Sequence, residues 1–476
     1  MSSPRRQPRL EIVLLFIILL LLLIVLAFVW RRNCCCCKTD AATTVVQVGS
    51  WNILLPKPVP DDTIAAVISA VEKQLLDSLV AQGYAADGIR FKPYYCPCDS
   101  LLINLGVTYL GETGGSKVPP PGTPASFGTQ GGSGFVVSVQ YDHPLAIPEI
   151  EDRQSFILTL GPRSRLIGRD IQAHPQAKEE RVAVIDSGID SVYFNDAGAN
   201  YFLAKEKNGI YNFLPFAPLQ NNWDDDTVMH HGTLVTAGII ESGDPALLNL
   251  QIMELKALDS TGRGTSFSAS CALSYAIRQK VKLINASWGY YGGPDSILLH
   301  YIGLCATHSI PVVAAAGNVR GLHNFSLINY SHAKSPATSV TAGAEAYPNP
   351  AGSLSAASGL FYPACFSMNL PYVVSVTGLN DSISPHLPCY YQNYSGEYVS
   401  VGVVNLYNCC SYLFTDQGVE GSSFEAPVVS GQLATGMAVW RSAAPDSAIR
   451  YIQGLTRDRR LASYVREGYV QYGSSK

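Results

Sequence analysis

Three short segments carry side chains able to move a proton or attack a carbonyl carbon. In V-A-V-I-D-S-G-I-D (182–190), Asp186 closes an apolar run. Such a run reads as a buried strand, and ligands bind beyond strand ends in open α/β sheets. An Asx turn that satisfies its own loop is the competing reading. In H-H-G-T-L-V-T-A-G-I-I (230–240), His231 precedes Leu234, Val235, Gly238 and Ile239, spaced for one helical face. The imidazole there is a base or merely a cap, and His230 competes for either part. In G-V-E-G-S-S-F-E-A-P-V-V-S-G (418–431), Ser423 reads as an N-cap, with Phe424 and Glu425 opening a helix. Its functional reading is a nucleophile at a helix N-terminus, where backbone N–H groups meet developing negative charge.

Taken in order, these segments resemble the Asp, His and Ser motifs of the subtilisin family of serine proteases. V-I-D-S-G (184–188) matches the first and H-G-T (231–233) the second. G-S-S-F-E-A-P (421–427) matches the third, with Ser422 for the usual Thr and Glu425 where a small residue is usual. Between them, Ala314-Ala315-Ala316-Gly317-Asn318 is similar to the oxyanion segment, and Asn285-Ala286-Ser287-Trp288-Gly289 to the strand that pairs with substrate. Asp259-Ser260-Thr261-Gly262-Arg263-Gly264 is similar to the opposite wall. The resemblance implies a serine endopeptidase acting on protein or peptide substrates. Its triad would be Asp186, His231 and Ser423, with Asn318 as oxyanion donor. Gly262, Gly264, Ser287, Trp288, Gly289, Ala315 and Gly317 would line the substrate site. No cofactor is implied. Ile239 to Pro245 leads quickly into Leu255, leaving little room for the calcium loop many relatives carry, so no metal is expected. The intact H-G-T argues against the related type that replaces His by Glu. A catalytically inactive module serving as a membrane-tethered binding protein is the alternative.

The elements that must position these residues follow from the apolar pattern. Runs at 182–185, 281–284 and 311–315 read as strands buried on both faces, and 268–279 as an intervening helix. The expected fold is α/β with a doubly wound, mainly parallel sheet, over residues 181–476. The stretch 319–360 reads as an insertion. A basic linker is expected at 163–180, and a small α+β domain at 39–162. In that domain Asp61 and Asp62 precede Ile64, Val67, Ile68, Val71, Leu75, Leu76 and Leu79 on one helical face, and Gly83 ends it. Strands are expected at 43–48, 89–92, 101–105 and 135–141, with a Gly/Pro/Ser-rich loop around Pro119-Pro120-Pro121. In outline this resembles the propeptide that templates folding and covers the active site in subtilisins; a sensor or docking domain is the other reading.

Composition locates the chain. Lys+Arg 33 against Asp+Glu 37 gives a net charge of −4, so nothing draws in nucleic acid. Charged residues make up 15%, against about 25% in an average chain, and part of the deficit is Ile12 to Trp30. Those nineteen residues carry no charge, a length suited to crossing a ~30 Å hydrocarbon core. A cleaved signal peptide would have a shorter run of ~7–15 residues ending in small residues. Here Trp30-Arg31-Arg32 closes the run, so a retained single-pass membrane anchor within 1–38 is expected. Arg5, Arg6 and Arg9 balance Arg31, Arg32 and Lys38, which sets no orientation. Cys34 to Cys37 suit S-acylation or an unmodified tract equally. The scattered Cys271, Cys305, Cys365 and Cys389 read as buried free thiols, and the lone Cys96-x-Cys98 lacks the second pair a zinc site needs.

Overall fold

The computed structural model describes residues 43–112, 127–130, 136–147, 178–190, 212–215, 222–227, 230–318, 360–380, 386, 388–389, 392–405, 421–440, 445–452 and 454–472. The expected anchor at 12–30, the cysteines at 34–37, most of the linker and the insertion from 319 onward lie outside these residues, Leu360 excepted. Among the described residues no helix is long and apolar enough to cross a membrane.

The chain divides into two compact units. One comprises Met1–Gly49, Glu72–Phe91 and Val107–Gly122; the other comprises Ser50–Val71, Lys92–Gly106 and Thr123–Lys476. In the first, the rings of Tyr84 and Tyr109 meet edge-on at 5.3 Å. A five-stranded sheet is built from β1 (Thr43–Leu54), β2 (Ile89–Cys96), β3 (Asp99–Glu112), β4 (Phe127–Gln130) and β5 (Val136–Tyr141), in the order β2-β3-β1-β5-β4. Helix α1 (Asp61–Ala81) carries the two expected aspartates in its first turn, where they complement the positive helix end. Val67, Val71, Leu75 and Leu79 are buried at four-residue spacing.

The second unit holds the expected parallel sheet. Its strands are β7 (Lys178–Asp186), β8 (Leu248–Lys256), β10 (Leu283–Ala286), β12 (Val312–Ala315), β14 (Val373–Asn380), β15 (Val401–Asn405) and β16 (Gly468–Tyr472). They lie in the order β16-β15-β14-β12-β10-β7-β8, and every neighbouring pair is parallel. β7 begins at Lys178, inside the stretch expected to be linker. Short antiparallel pairs join β6 (Pro144–Ala146) to β9 (Arg263–Thr265) and β11 (Tyr290–Gly292) to β13 (Leu360–Tyr362).

Alternation along β7 shows how the layers form. Ala183 and Ile185 face a cluster with Phe267 and Ala272 of α3 (Ser266–Arg278) and Leu298 and Tyr301 of α4 (Ser296–Thr307). Val182 and Val184 face Val235 and Ile239 of α2 (His231–Ser242) and Val428 and Leu433 of α5 (Ser422–Val439). Each fully buried Val, Leu, Ile or Phe contributes about 1.5–3 kcal/mol, so both faces must stay covered. Helix α3 starts two residues before the expected 268, because Thr265 and Ser268 form a reciprocal capping box. The strand expected at 281–284 runs instead from Leu283 to Ala286. Chain order reverses between β7 and β10, since β8 lies to one side of β7 and all later strands to the other. Such a switch point opens a crevice beyond the strand ends, which is where Asp186 and Ser287 lie.

One reading of the cysteines needs correcting. Cys96, Cys98, Cys271, Cys305 and Cys365 are free and buried, but Cys389 is disulfide-bonded. Scattered spacing carries no signature of pairing, which is set by where the fold brings the thiols.

Candidate active site

Asp186 is the last residue of β7 and fully buried, with Oδ1 accepting from the Ser187 amide at 2.8 Å. His231 opens α2, and its Nδ1 lies 2.7 Å from the same Asp186 oxygen. A carboxylate there only accepts, so Nδ1 carries the proton and Nε2 is left as the basic nitrogen. Nε2 is buried and makes no hydrogen bond among the described residues.

The mouth of α2 is held by residues that sequence inspection passed over. His230 adopts a left-handed conformation, with φ 49° and ψ 49°, and its side chain does not cap the helix. The cap is Asp225. Its Oδ2 accepts from Thr233 N at 3.0 Å and Thr233 Oγ1 at 2.8 Å, and its Oδ1 from Thr227 Oγ1 at 2.7 Å and Ser187 Oγ at 3.0 Å. Lys256, at the end of β8, extends Nζ to the carbonyls of Ser187 (2.6 Å) and Asp224 (2.7 Å) and the carboxylate of Asp226 (2.5 Å). It thus ties the Asp225 loop to the end of β7. The signal was present in the run Asp224-Asp225-Asp226 just before His231, but a run of acids more often marks a solvated loop. Gly232 allows the helix mouth its close approach, since a Cβ there would run into the Gly188 carbonyl. Glu254, on β8 opposite Val184, is fully buried and accepts from Thr236 Oγ1 at 3.1 Å. Burial, then the neighbouring charges of Asp186 and Asp225, holds its carboxyl well above the usual carboxylate range.

Ser423 is the second residue of α5, not its N-cap. The N-cap is Gly421 at φ 132°, a backbone conformation side chains rarely adopt, and this turn swings Ser423 onto the helix start. Ser423 Oγ donates to the Ser287 carbonyl at 3.2 Å, and Ser287 Oγ donates to the Ser423 carbonyl at 2.8 Å. The next residue, Phe424, sets its ring 5.4 Å from that of His231. Glu425 is buried in the first turn. Asn318 follows β12, and its Oδ1 accepts from Ser422 N (3.0 Å) and Ser422 Oγ (3.1 Å). The oxygen end is therefore committed to Ser422, and the amide nitrogen is the end beside Gly421.

The residues expected to line the substrate site divide by what they expose. Trp288 sends its side chain inward, donating from Nε1 to the Ile185 carbonyl at 2.7 Å. Ala315 is buried in the sheet, and Gly317 accepts at its carbonyl from Asn393 N at 3.0 Å. Gly262, Gly264 and Gly289 meet an occupant supplied by the chain itself. In β6, Leu145 lies opposite Gly264; Ala146 N donates to the Gly289 carbonyl at 3.0 Å and its carbonyl accepts from Gly289 N at 3.1 Å. Ile147 N donates to the Gly262 carbonyl at 3.0 Å. The segment is fixed two residues upstream of β6. Asp142 is buried and accepts from Phe267 N (2.8 Å), Ser266 Oγ (3.1 Å), Asn52 Nδ2 (3.1 Å), Asn104 Nδ2 (2.9 Å) and Ser50 Oγ (3.0 Å). Next to it, the His143 ring stacks on Tyr290 at 4.6 Å, and burial lowers its pKa. This docking by 142–147 had no sequence signal: P-L-A-I is an ordinary apolar tetrapeptide.

The chain is 32% identical over 185 residues to subtilisin amylosacchariticus of Bacillus subtilis subsp. amylosacchariticus, and equally to subtilisin J of Geobacillus stearothermophilus. The match covers 37% of this chain and 44% of the length of each of these curated relatives. A chain in the solved structure described as the structural basis of subtilase cytotoxin SubAB assembly overlays with a TM-score of 0.42 at 17% identity, over 65% of this chain and 93% of that one. The subtilase family profile matches residues 177–457, more than half of the 476, and the chain belongs to the subtilase family.

Proposed function

We propose that the chain is a membrane-anchored serine endopeptidase that hydrolyses peptide bonds through Asp186, His231 and Ser423. The observation that carries this reading is the buried 2.7 Å pair of His231 Nδ1 and Asp186 Oδ1, which leaves Nε2 as a base beside the Ser423 helix. In the reaction, the Ser423 hydroxyl rotates from the Ser287 carbonyl toward Nε2 and attacks the substrate carbonyl as His231 takes its proton. Asp186 fixes the tautomer and stabilises the imidazolium. The oxyanion is held by Asn318 Nδ2 and the Ser423 N–H, the latter at a helix N-terminus; one such donor is worth about 2.7–4 kcal/mol. His231 then protonates the leaving amine, and water releases the acyl-enzyme by the reverse proton path.

In the described state the enzyme is latent. β6 fills the groove between Gly262–Gly264 and Gly289, consistent with a self-inhibiting role for the chain before the protease domain. Residues 12–30 hold the enzyme to a membrane, and the disulfide at Cys389 favours the oxidising side for the protease domain. A catalytically inactive, peptide-holding module is the second reading; it is favoured by the engagement of Ser423 Oγ with Ser287 rather than His231. Reaction with a fluorophosphonate probe separates the two. Labelling of the wild-type chain that disappears in Ser423→Ala supports the peptidase, and a wild type that never labels, even after proteolytic removal of the N-terminal segment, supports the module.

A further inference from the structure

The two walls that converge on Ser423 both end in glycine, and one ring fills the space their missing side chains leave. A Cβ placed on Gly289 would run into Cε1 and Cζ of Phe361, and one on Gly317 would lie 2.8 Å from Cγ and Cδ1 of the same ring. Phe361 is 2% exposed. Its position in β13 is fixed opposite Tyr291 of β11, whose ring lies 4.9 Å away at 60°. Tyr291 is pinned in turn: its hydroxyl donates to the Asn318 carbonyl at 2.8 Å and accepts from Asn393 Nδ2 at 2.8 Å. Asn393 Nδ2 also donates to the Ala316 carbonyl at 2.7 Å. The ring is thereby wedged between the Gly289 wall and the oxyanion segment.

The register of the docked segment shows what this wedge excludes. Antiparallel pairing puts the residue two positions beyond the one opposite Gly289 opposite Ser287. The Ser287 carbonyl is 3.2 Å from Ser423 Oγ, so a peptide in this register presents the carbonyl of that residue to the nucleophile. Its side chain must enter between the Gly289 and Gly317 walls, where Phe361 already stands. We infer that Phe361 is a specificity-determining residue that closes this slot, restricting cleavage to peptide bonds following Gly, Ala or Ser.

The inference rests on the peptidase reading, yet it can be tested apart from turnover. On full-length Ser423→Ala, the dissociation constants of Leu-Ala-Ile-Ala and Leu-Ala-Ile-Phe are measured by calorimetry, beside the same pair on Ser423→Ala/Phe361→Gly. The expected preference for the Ala peptide is at least roughly the 10–200-fold range that one misplaced methylene produces in an apolar pocket. Removing the ring should collapse or reverse it. If the Phe361→Gly chain fails to fold, the Ala/Phe ratio on the chain that keeps Phe361 still decides. Equal affinities there, or tighter binding of the Phe peptide, overturns the proposal. Fluorophosphonate labelling of wild type reports separately on catalysis, so failure of one reading is not confused with failure of the other.

Discussion

Asp142→Asn should loosen the segment that fills the groove. The carboxylate sits in a ring of donors: Asn52 Nδ2, Ser266 Oγ and Phe267 N reach Oδ1, and Asn104 Nδ2 and Ser50 Oγ reach Oδ2. An amide keeps the shape but turns an NH2 toward one set. The cheaper orientation places it at the Oδ2 side, where the Ser50 hydroxyl can reverse to accept while Asn104 Nδ2 cannot. One buried donor without its acceptor costs about 1–3 kcal/mol. Taking about 2 kcal/mol for the docked state, the undocked population rises roughly 30-fold at ~1.4 kcal/mol per decade. Amide hydrogen exchange reads this directly, because Ala146 N–H and Gly289 N–H bond each other's carbonyls only while the segment is docked. Both should exchange about 30-fold faster, and the fluorophosphonate labelling rate at Ser423 should rise with them, on the same ~1.4 kcal/mol per decade. Suppose instead that melting temperature falls while exchange at both amides stays at the wild-type rate. Asp142 would then be a stabilising residue with no hold on the segment.

Two further outcomes follow from the site. Because Glu254 has a raised pKa from burial and from its acidic neighbours, the folded chain binds that proton more tightly than the unfolded one. Its contribution is complete below the unfolded pKa and is lost as pH rises through the elevated folded value, by up to ~1.4 kcal/mol per pH unit; Glu254→Gln should lose melting temperature less steeply as pH rises above the unfolded carboxylate pKa, and matching slopes would refute this. Asp225→Ala removes the cap of α2, for which a loss of about 1–2 kcal/mol is expected, and the Ser423 labelling rate should fall further than stability alone explains, with Asp225→Asn falling between; an unchanged rate would show that the cap does not position His231.

The sequence pattern carried the protease domain further than its supports. Strands buried on both faces announce themselves as short apolar runs, which is why 182–185 and 311–315 fell within a residue or two of β7 and β12 at their C-terminal ends. Asp186 ends an apolar run at a Gly-marked turn, Asn318 follows the Ala-Ala-Ala-Gly run, and His231 precedes an apolar helical face, which is why each stood out in the sequence. Ser423 was legible too, but its place on the helix was not: a Gly at φ 132° as N-cap looks in sequence like any loop glycine before a Ser that could cap. Asp225, Lys256 and Asp142 act through partners 8, 69 and 125 residues away, respectively, so no local spacing marks them. Phe361 was hidden for the same reason, since its meaning depends on two glycines far from it in sequence.

The groove's chemistry also explains why its occupant is a segment of the chain itself. Gly262, Gly264 and Gly289 offer backbone hydrogen bonds and almost no side-chain contact, so they hold any extended strand of suitable length. Recognition of that kind discriminates poorly between sequences, and the competitor that wins is the one most concentrated at the site. A tethered segment has an effective concentration in the millimolar range for a short linker, and Asp142 anchors β6 immediately before it enters the groove. A free peptide in the same register must in addition place a side chain in the space opposite Ser287. With Phe361 closing that space, a substrate gains little from a large side chain there. Access then depends on undocking, and the five donors around Asp142 become the part of the protein that sets when the groove opens.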